Sequence, residues 1–112
     1  SMAALHRQGR DQMDRLRLPE NCESMSELRR QIDAIDVELV EMLVRRSRYI
    51  DRAVELKKIE GLPARVADRV AEVLDRVAAA AGDRGLDPEL VRSLWSDIIE
   101  WSIRRESREL GG

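Results

Sequence analysis

No glycine or proline interrupts the chain between Ser24 and Gly61, and within that stretch Leu28, Ile32, Ile35, Leu39, Met42, Tyr49, Ala53 and Leu56 form an apolar series of mostly alternating four- and three-residue steps. That period is the signature of an apolar stripe along an α-helix. Ser24 followed three residues later by Glu27 has the spacing of a capping box, in which a hydroxyl and a carboxylate satisfy free N–H groups at a helix start. The pattern predicts one helix of about 34 residues, which at 1.5 Å per residue is about 50 Å long. A compact domain built from 112 residues is only about 30–35 Å across. The first helix must therefore overhang its own domain, and the expected arrangement is a homodimer in which two chains entwine their long helices. A flat, elongated monomer with an exposed seam is the alternative, and apolar stripes of that length are rarely left exposed.

Gly61-Leu62-Pro63 ends the first helix. Val66, Val70, Val73, Val77 and Ala81 mark a second that stops near Gly82. Asp87 as N-cap with Pro88 behind it starts a third, whose apolar stripe is Val91, Leu94, Ile98 and Trp101. No strand pattern competes, so the fold class is all-α, with three helices of very unequal length. Residues 1–23 have no sustained apolar period and read as a flexible N-terminal arm before a helical domain at 24–110.

Hydrophobic residues make up 43% of the chain and charged residues 38%, and no window approaches the roughly 20 unbroken apolar residues of a membrane span. A soluble protein with no membrane partner is expected. The N-terminal residues carry no h-region or small-residue cleavage site, so the expected compartment is the cytoplasm. Cys22 is the one cysteine and His6 the one histidine, which gives neither an internal disulfide nor zinc-ligand spacing. A net charge of −2 and only three aromatic residues, Tyr49, Trp95 and Trp101, argue against a nucleic-acid binder held by charge and stacking. Only Lys57 and Lys58 are lysines among 20 basic residues, so 18 are arginines, the side chain suited to forked recognition of carboxylate or phosphate.

One of those arginines interrupts the seam. The apolar series on the first helix reaches position 46, and the residue there is Arg46. A guanidinium on a buried seam costs several kcal/mol unless it is paired. Lys57 follows eleven residues later, three turns plus about 20°, which places both cations on one face about 16 Å apart along the axis. Arg29 lies about 100° around the helix from Arg46, so it is poorly placed for the same pocket in its own chain, but in a dimer of antiparallel long helices it could serve the partner's. On the third helix Ser102 and Glu106 share a face with Trp95 and Ile99, and on the second Arg69 precedes the apolar Val70. Taken singly, these are solvated charges and interhelical ion pairs of a highly charged helical protein. Together, several cations and one carboxyl at the seam of a helical dimer look like a pocket for a small polyanion.

The run ELRRQIDAIDVELVEMLVRRSRYIDRAVELKK, a short loop, ADRVAEVLDRV and then GLDPELVRSLWSDIIEWSIRRE resembles the all-helical (type II) chorismate mutase family, including its relatives the isochorismate-pyruvate lyases. The resemblance covers about 85 residues in the family's order and helix lengths. The leading Leu-Arg, the mid-helix Arg-Arg followed by Lys eleven residues later, and the Ile-Ile segment followed by Ser and an acid carry it jointly.

The resemblance implies an entwined dimer with two sites built from both chains, a chorismate mutase activity in aromatic amino-acid biosynthesis, a small dianionic substrate, and no metal or organic cofactor. By position it implies that Arg46 binds one substrate carboxylate and that Arg29, donated by the other chain, binds at the second carboxylate. Lys57 would hydrogen-bond the ether oxygen and a carboxylate, Arg69 would close over the substrate, Glu106 would donate to the ether oxygen, and Ser102 would stand at a substrate-proximal hydroxyl position. Two departures bear on specificity. Val66 and Val70 stand where the family typically has acids, the second of which recognises the ring hydroxyl; the lyases also tend to lack them. Glu106 stands where the lyases usually have Gln. Isochorismate-pyruvate lyase and amino-deoxychorismate mutase are thus the alternative activities. A non-catalytic helical dimerisation or regulatory module is the alternative of another class, and it leaves Arg46 on the seam unexplained.

Overall fold

The structure, a computed structural model, describes residues 18–111. Most of the expected arm at 1–23 lies outside the described residues; its end is a 3-10 turn, Pro19–Asn21. Three helices follow: α1 Met25–Glu60, α2 Ala67–Asp83 and α3 Pro88–Leu110. The chain divides between Val44 and Arg45 into two compact units. The first holds the turn and the N-terminal part of α1, and the second holds the rest of α1 with α2 and α3.

Each helix ends as its sequence dictates. The Glu27 N–H donates to Ser24 Oγ at 3.1 Å, and the Glu27 carboxylate accepts from the N–H of Glu23 at 3.0 Å, one residue further out than the usual return bond. α1 stops at Gly61, whose φ of 71° is open to glycine, and the next N–H, of Leu62, donates back to the Lys57 carbonyl at 2.9 Å. α2 ends in the same way, with Gly85 at φ 77° and the Leu86 N–H on the Ala81 carbonyl at 2.9 Å. At the start of α3 Asp87 Oδ1 accepts from the Glu89 N–H at 2.9 Å, and Pro88 supplies a preset φ without wasting a donor.

In the second unit α2 packs closely on α3, and the small side chains of Ala78 and Ala81 permit the approach. The core is small: Val54, Ala64, Ala78, Ala81, Val91 and Ile99 are its buried apolar residues. Between α1 and α3 the ties are polar, with Arg105 forking onto Asp51 at 2.6 and 3.1 Å.

The buried faces differ in two places from the stripes expected of the sequence. On α1 the face turned to α3 in the second unit is Arg46, Ile50, Ala53, Val54 and Lys57, whereas Tyr49 is 75% exposed and Leu56 is exposed too. On α3 the buried line is Val91, Ile99, Ser102 and Glu106, with Leu94 and Trp101 exposed. The cause is common to both: each helix carries two apolar lines, and only one of them meets a neighbour within the chain. In the first unit none of the described residues is buried, and Ile32, Ile35, Leu39 and Met42 are all 48% exposed or more.

Candidate active site

A cavity of about 400 Å³ opens in the second unit among the three helices. Arg46, reaching in from α1, is half-buried, and its guanidinium donates to Ser102 Oγ at 3.2 Å. The Ser102 hydroxyl in turn donates to the Ile98 carbonyl at 2.9 Å, one turn back on α3. That fixes its proton away from Arg46 and turns its lone pairs toward the guanidinium. Ser102 is 3% exposed, so it acts first as the seat of Arg46. Burial holds the Arg46 pKa below the usual arginine value, the nearby Arg69 charge lowers it further, and Glu106 opposes both. The guanidinium stays charged, and two cations converge on space shared with one carboxyl.

That carboxyl is Glu106, buried on α3. The Lys57 ammonium stands 2.7 Å from its Oε1, yet Oε1 receives no hydrogen bond of good direction. The contact is an ion pair held by charge more than by alignment. Lys57 also donates to the backbone carbonyl of Ala64 at 2.7 Å. Arg69 lies at the cavity's edge, where Glu72, one turn along α2, pairs with it and with Arg76. Apart from Tyr49, the remaining lining residues are apolar, with Ile50, Val66, Val70 and Val73 among them.

Five of the six residues singled out from the sequence thus come together: Arg46, Arg69, Ser102 and Glu106 line the cavity and Lys57 touches it through Glu106. Arg29 is exposed in the first unit and is not among the lining residues. Two contributors escaped the sequence reading. One is the Ala64 carbonyl, a backbone group with no side-chain signal; the other is the fork of Arg65 onto Glu100 at 2.9 and 2.7 Å, which ties the segment 61–66 to α3.

This disposition of cations about a buried carboxyl, on three helices in this order, coincides with a family assignment. Residues 28–107 match the family described as chorismate mutase type II. The chain is a type II chorismate mutase family member. The matched span contains all six site residues. Among relatives, an isochorismate pyruvate lyase of Pseudomonas aeruginosa is 36% identical over 92 residues, covering 81% of this chain and 89% of that protein. A 4-amino-4-deoxychorismate mutase of Streptomyces pristinaespiralis is 33% identical over 79 residues, 70% of this chain and 61% of its own length. A second enzyme of that description, from Streptomyces venezuelae, is 34% identical over 82 residues, 73% of this chain and 80% of its own. Type II chorismate mutase membership makes this an enzyme family shared by several reactions. Among the described residues no helix is long and apolar enough to cross a membrane.

Proposed function

We propose that the chain is a chorismate mutase that rearranges chorismate to prephenate. The observation that carries this reading is the excess of cations at the cavity: Arg46 and Arg69 line it and Lys57 reaches it, with Glu106 the one carboxyl among the lining residues, which suits a substrate with two carboxylates. Arg46 takes one carboxylate, and Arg69 leaves Glu72 to close over the bound molecule. Fixing both ends holds the reactive conformer before the reaction and removes much of its entropic cost.

In the rearrangement the ether C–O bond breaks as a C–C bond forms within the same molecule, and no proton, metal or nucleophile is required. Negative charge grows on the ether oxygen. Lys57 is the preorganised donor aimed at it, and Glu106 in its acid form is the second.

Arg29 enters this reading from a second copy of the chain. Its support is the line of Ile32, Ile35, Leu39 and Met42, between 48% and 58% exposed in one chain, which a second long helix would cover. The homodimer then supplies Arg29 to the partner's cavity.

A second reading, isochorismate-pyruvate lyase, is favoured by one feature, the apolar wall of Val66 and Val70, which gives a ring hydroxyl no partner. It would use the same donors at the same oxygen while a ring hydrogen moves to the departing enolpyruvyl group. Incubation with chorismate, isochorismate and 4-amino-4-deoxychorismate separately, with products identified by mass and ultraviolet spectrum, tests the choice. Prephenate from chorismate at the highest kcat/KM is expected; faster release of pyruvate from isochorismate selects the lyase, and no turnover of any of the three selects a non-catalytic module.

A further inference from the structure

Lys57 has two protein acceptors, and they differ in kind. Glu106 is an ionisable side chain on α3, whereas the Ala64 carbonyl is fixed backbone of the segment joining α1 to α2. An ammonium has three N–H groups; the Glu106 contact holds the head by charge without directing one of them, so the bond to Ala64 is the one that orients it. Where Ala64 sits consequently decides how the other two N–H groups are turned.

The position of Ala64 depends on its neighbour. Gly61 gives the segment a loose start, with φ of 71° and no atom within 4 Å of where a Cβ would stand, and Val66 at the N-cap of α2 offers no side-chain cap. Between them Arg65 forks onto both carboxylate oxygens of Glu100, at 2.9 and 2.7 Å. Two parallel bonds fix orientation as well as distance. Glu100 stands on α3 six residues before Glu106, so one helix carries both the anchor of the segment and the counter-charge of the lysine. Neither Arg65 nor Glu100 lines the cavity, and both are well exposed, a setting in which an ion pair adds little to global stability.

We propose that the Arg65–Glu100 fork is the positioning device of the active site: it pins the segment 61–66 to α3 and so sets the Ala64 carbonyl that directs the Lys57 ammonium. Neither residue touches substrate; both act through Ala64 and Lys57. For its catalytic consequence the inference rests on the activity proposed above.

The chain's two lysines make the test direct. In a Lys58→Arg background the Lys57 ammonium is the only lysine signal in a nitrogen-15 spectrum. Its N–H exchange with water should be slow in the unchanged protein and distinctly faster in Arg65→Gln and in Glu100→Gln. In activity assays each single change should lower kcat by about ten- to a hundredfold, the upper end being the scale of a catalytic group misplaced by about 1 Å, with KM and melting temperature little changed. The double variant should be no worse than either single one, and the exchanged pair Arg65→Glu with Glu100→Arg should recover most of the loss. Equal ammonium exchange with and without Arg65 overturns the proposal, as does an unchanged kcat in an active enzyme, or a loss of activity that only follows a loss of folding. A protein that turns over none of the three substrates refutes the proposed activity, while the ammonium exchange still decides the role of the fork.

Discussion

The Lys57 ammonium lies 2.7 Å from Oε1 of Glu106, and only 5% of the Glu106 side chain reaches solvent. As a carboxylate Glu106 can only accept, and in that form it holds Lys57. To donate to an ether oxygen it must carry a proton. Glu106→Gln, a permanent donor of similar shape, should therefore keep substantial activity, whereas Glu106→Leu, which can neither donate nor accept, should lose kcat by about 10² or more, the scale of a lost preorganised donor. Steady-state kinetics of the two variants check this; equal losses in both would remove Glu106 as a donor to the ether oxygen.

The fork between Arg105 and Asp51 ties α3 to α1 outside the cavity. The hydrogen bond from Arg105 is the main reason that the Asp51 carboxyl titrates below its ordinary range. Its folded pKa is below its unfolded one, so the stabilisation is present above the unfolded value, about 3.9, and is lost as pH falls through the folded value. Asp51→Asn should thus melt below the unchanged protein near neutrality, and the difference should shrink in acid below about pH 4. Melting curves from neutral to strongly acidic pH measure this, and a difference independent of pH would contradict it.

Ser102 seats Arg46 through a 3.2 Å hydrogen bond. Ser102→Ala removes the acceptor and leaves a half-buried guanidinium loosely held. KM should rise by about tenfold or more, the scale of one hydrogen bond to a charged group, with kcat affected less. Steady-state kinetics decide it, and a kcat loss at constant KM would place Ser102 at the reacting atoms instead.

Arg29 and Arg46 belong to different units of the chain. If one cavity draws its Arg29 from the partner, mixing inactive Arg29→Ala chains with inactive Arg46→Ala chains should restore part of the activity, since half the sites of a mixed dimer keep both arginines. Absence of rescue after demonstrated subunit exchange would put the two arginines to work within one chain.

The helix boundaries were legible because they rest on local chemistry: Ser24 with Glu27, Gly61 before Leu62, and Asp87 before Pro88 all form the caps their spacing calls for. The faces were legible only in part. A period shows that Leu94 and Trp101, or Tyr49 and Leu56, share a side of a helix, but not which neighbour meets that side, and these four residues are exposed in the chain. At the site, Arg46, Ser102 and Glu106 could be found because charge or hydroxyl interrupts an apolar line. The Arg65–Glu100 fork joins residues 35 positions apart, with no local pattern to announce it, and the Ala64 carbonyl has no side chain to read at all.

In the proposed reaction this cavity rearranges a bound dianion by donating to its ether oxygen through Lys57. Conversion of chorismate by the unchanged protein and by Lys57→Ala, with the product identified in both, tests it most directly. Prephenate is expected from the unchanged protein, with a kcat lower by about 10² or more in the variant, the scale of losing a preorganised donor at developing charge. Failure of the unchanged protein to form prephenate, or equal kcat in the two proteins, would contradict it.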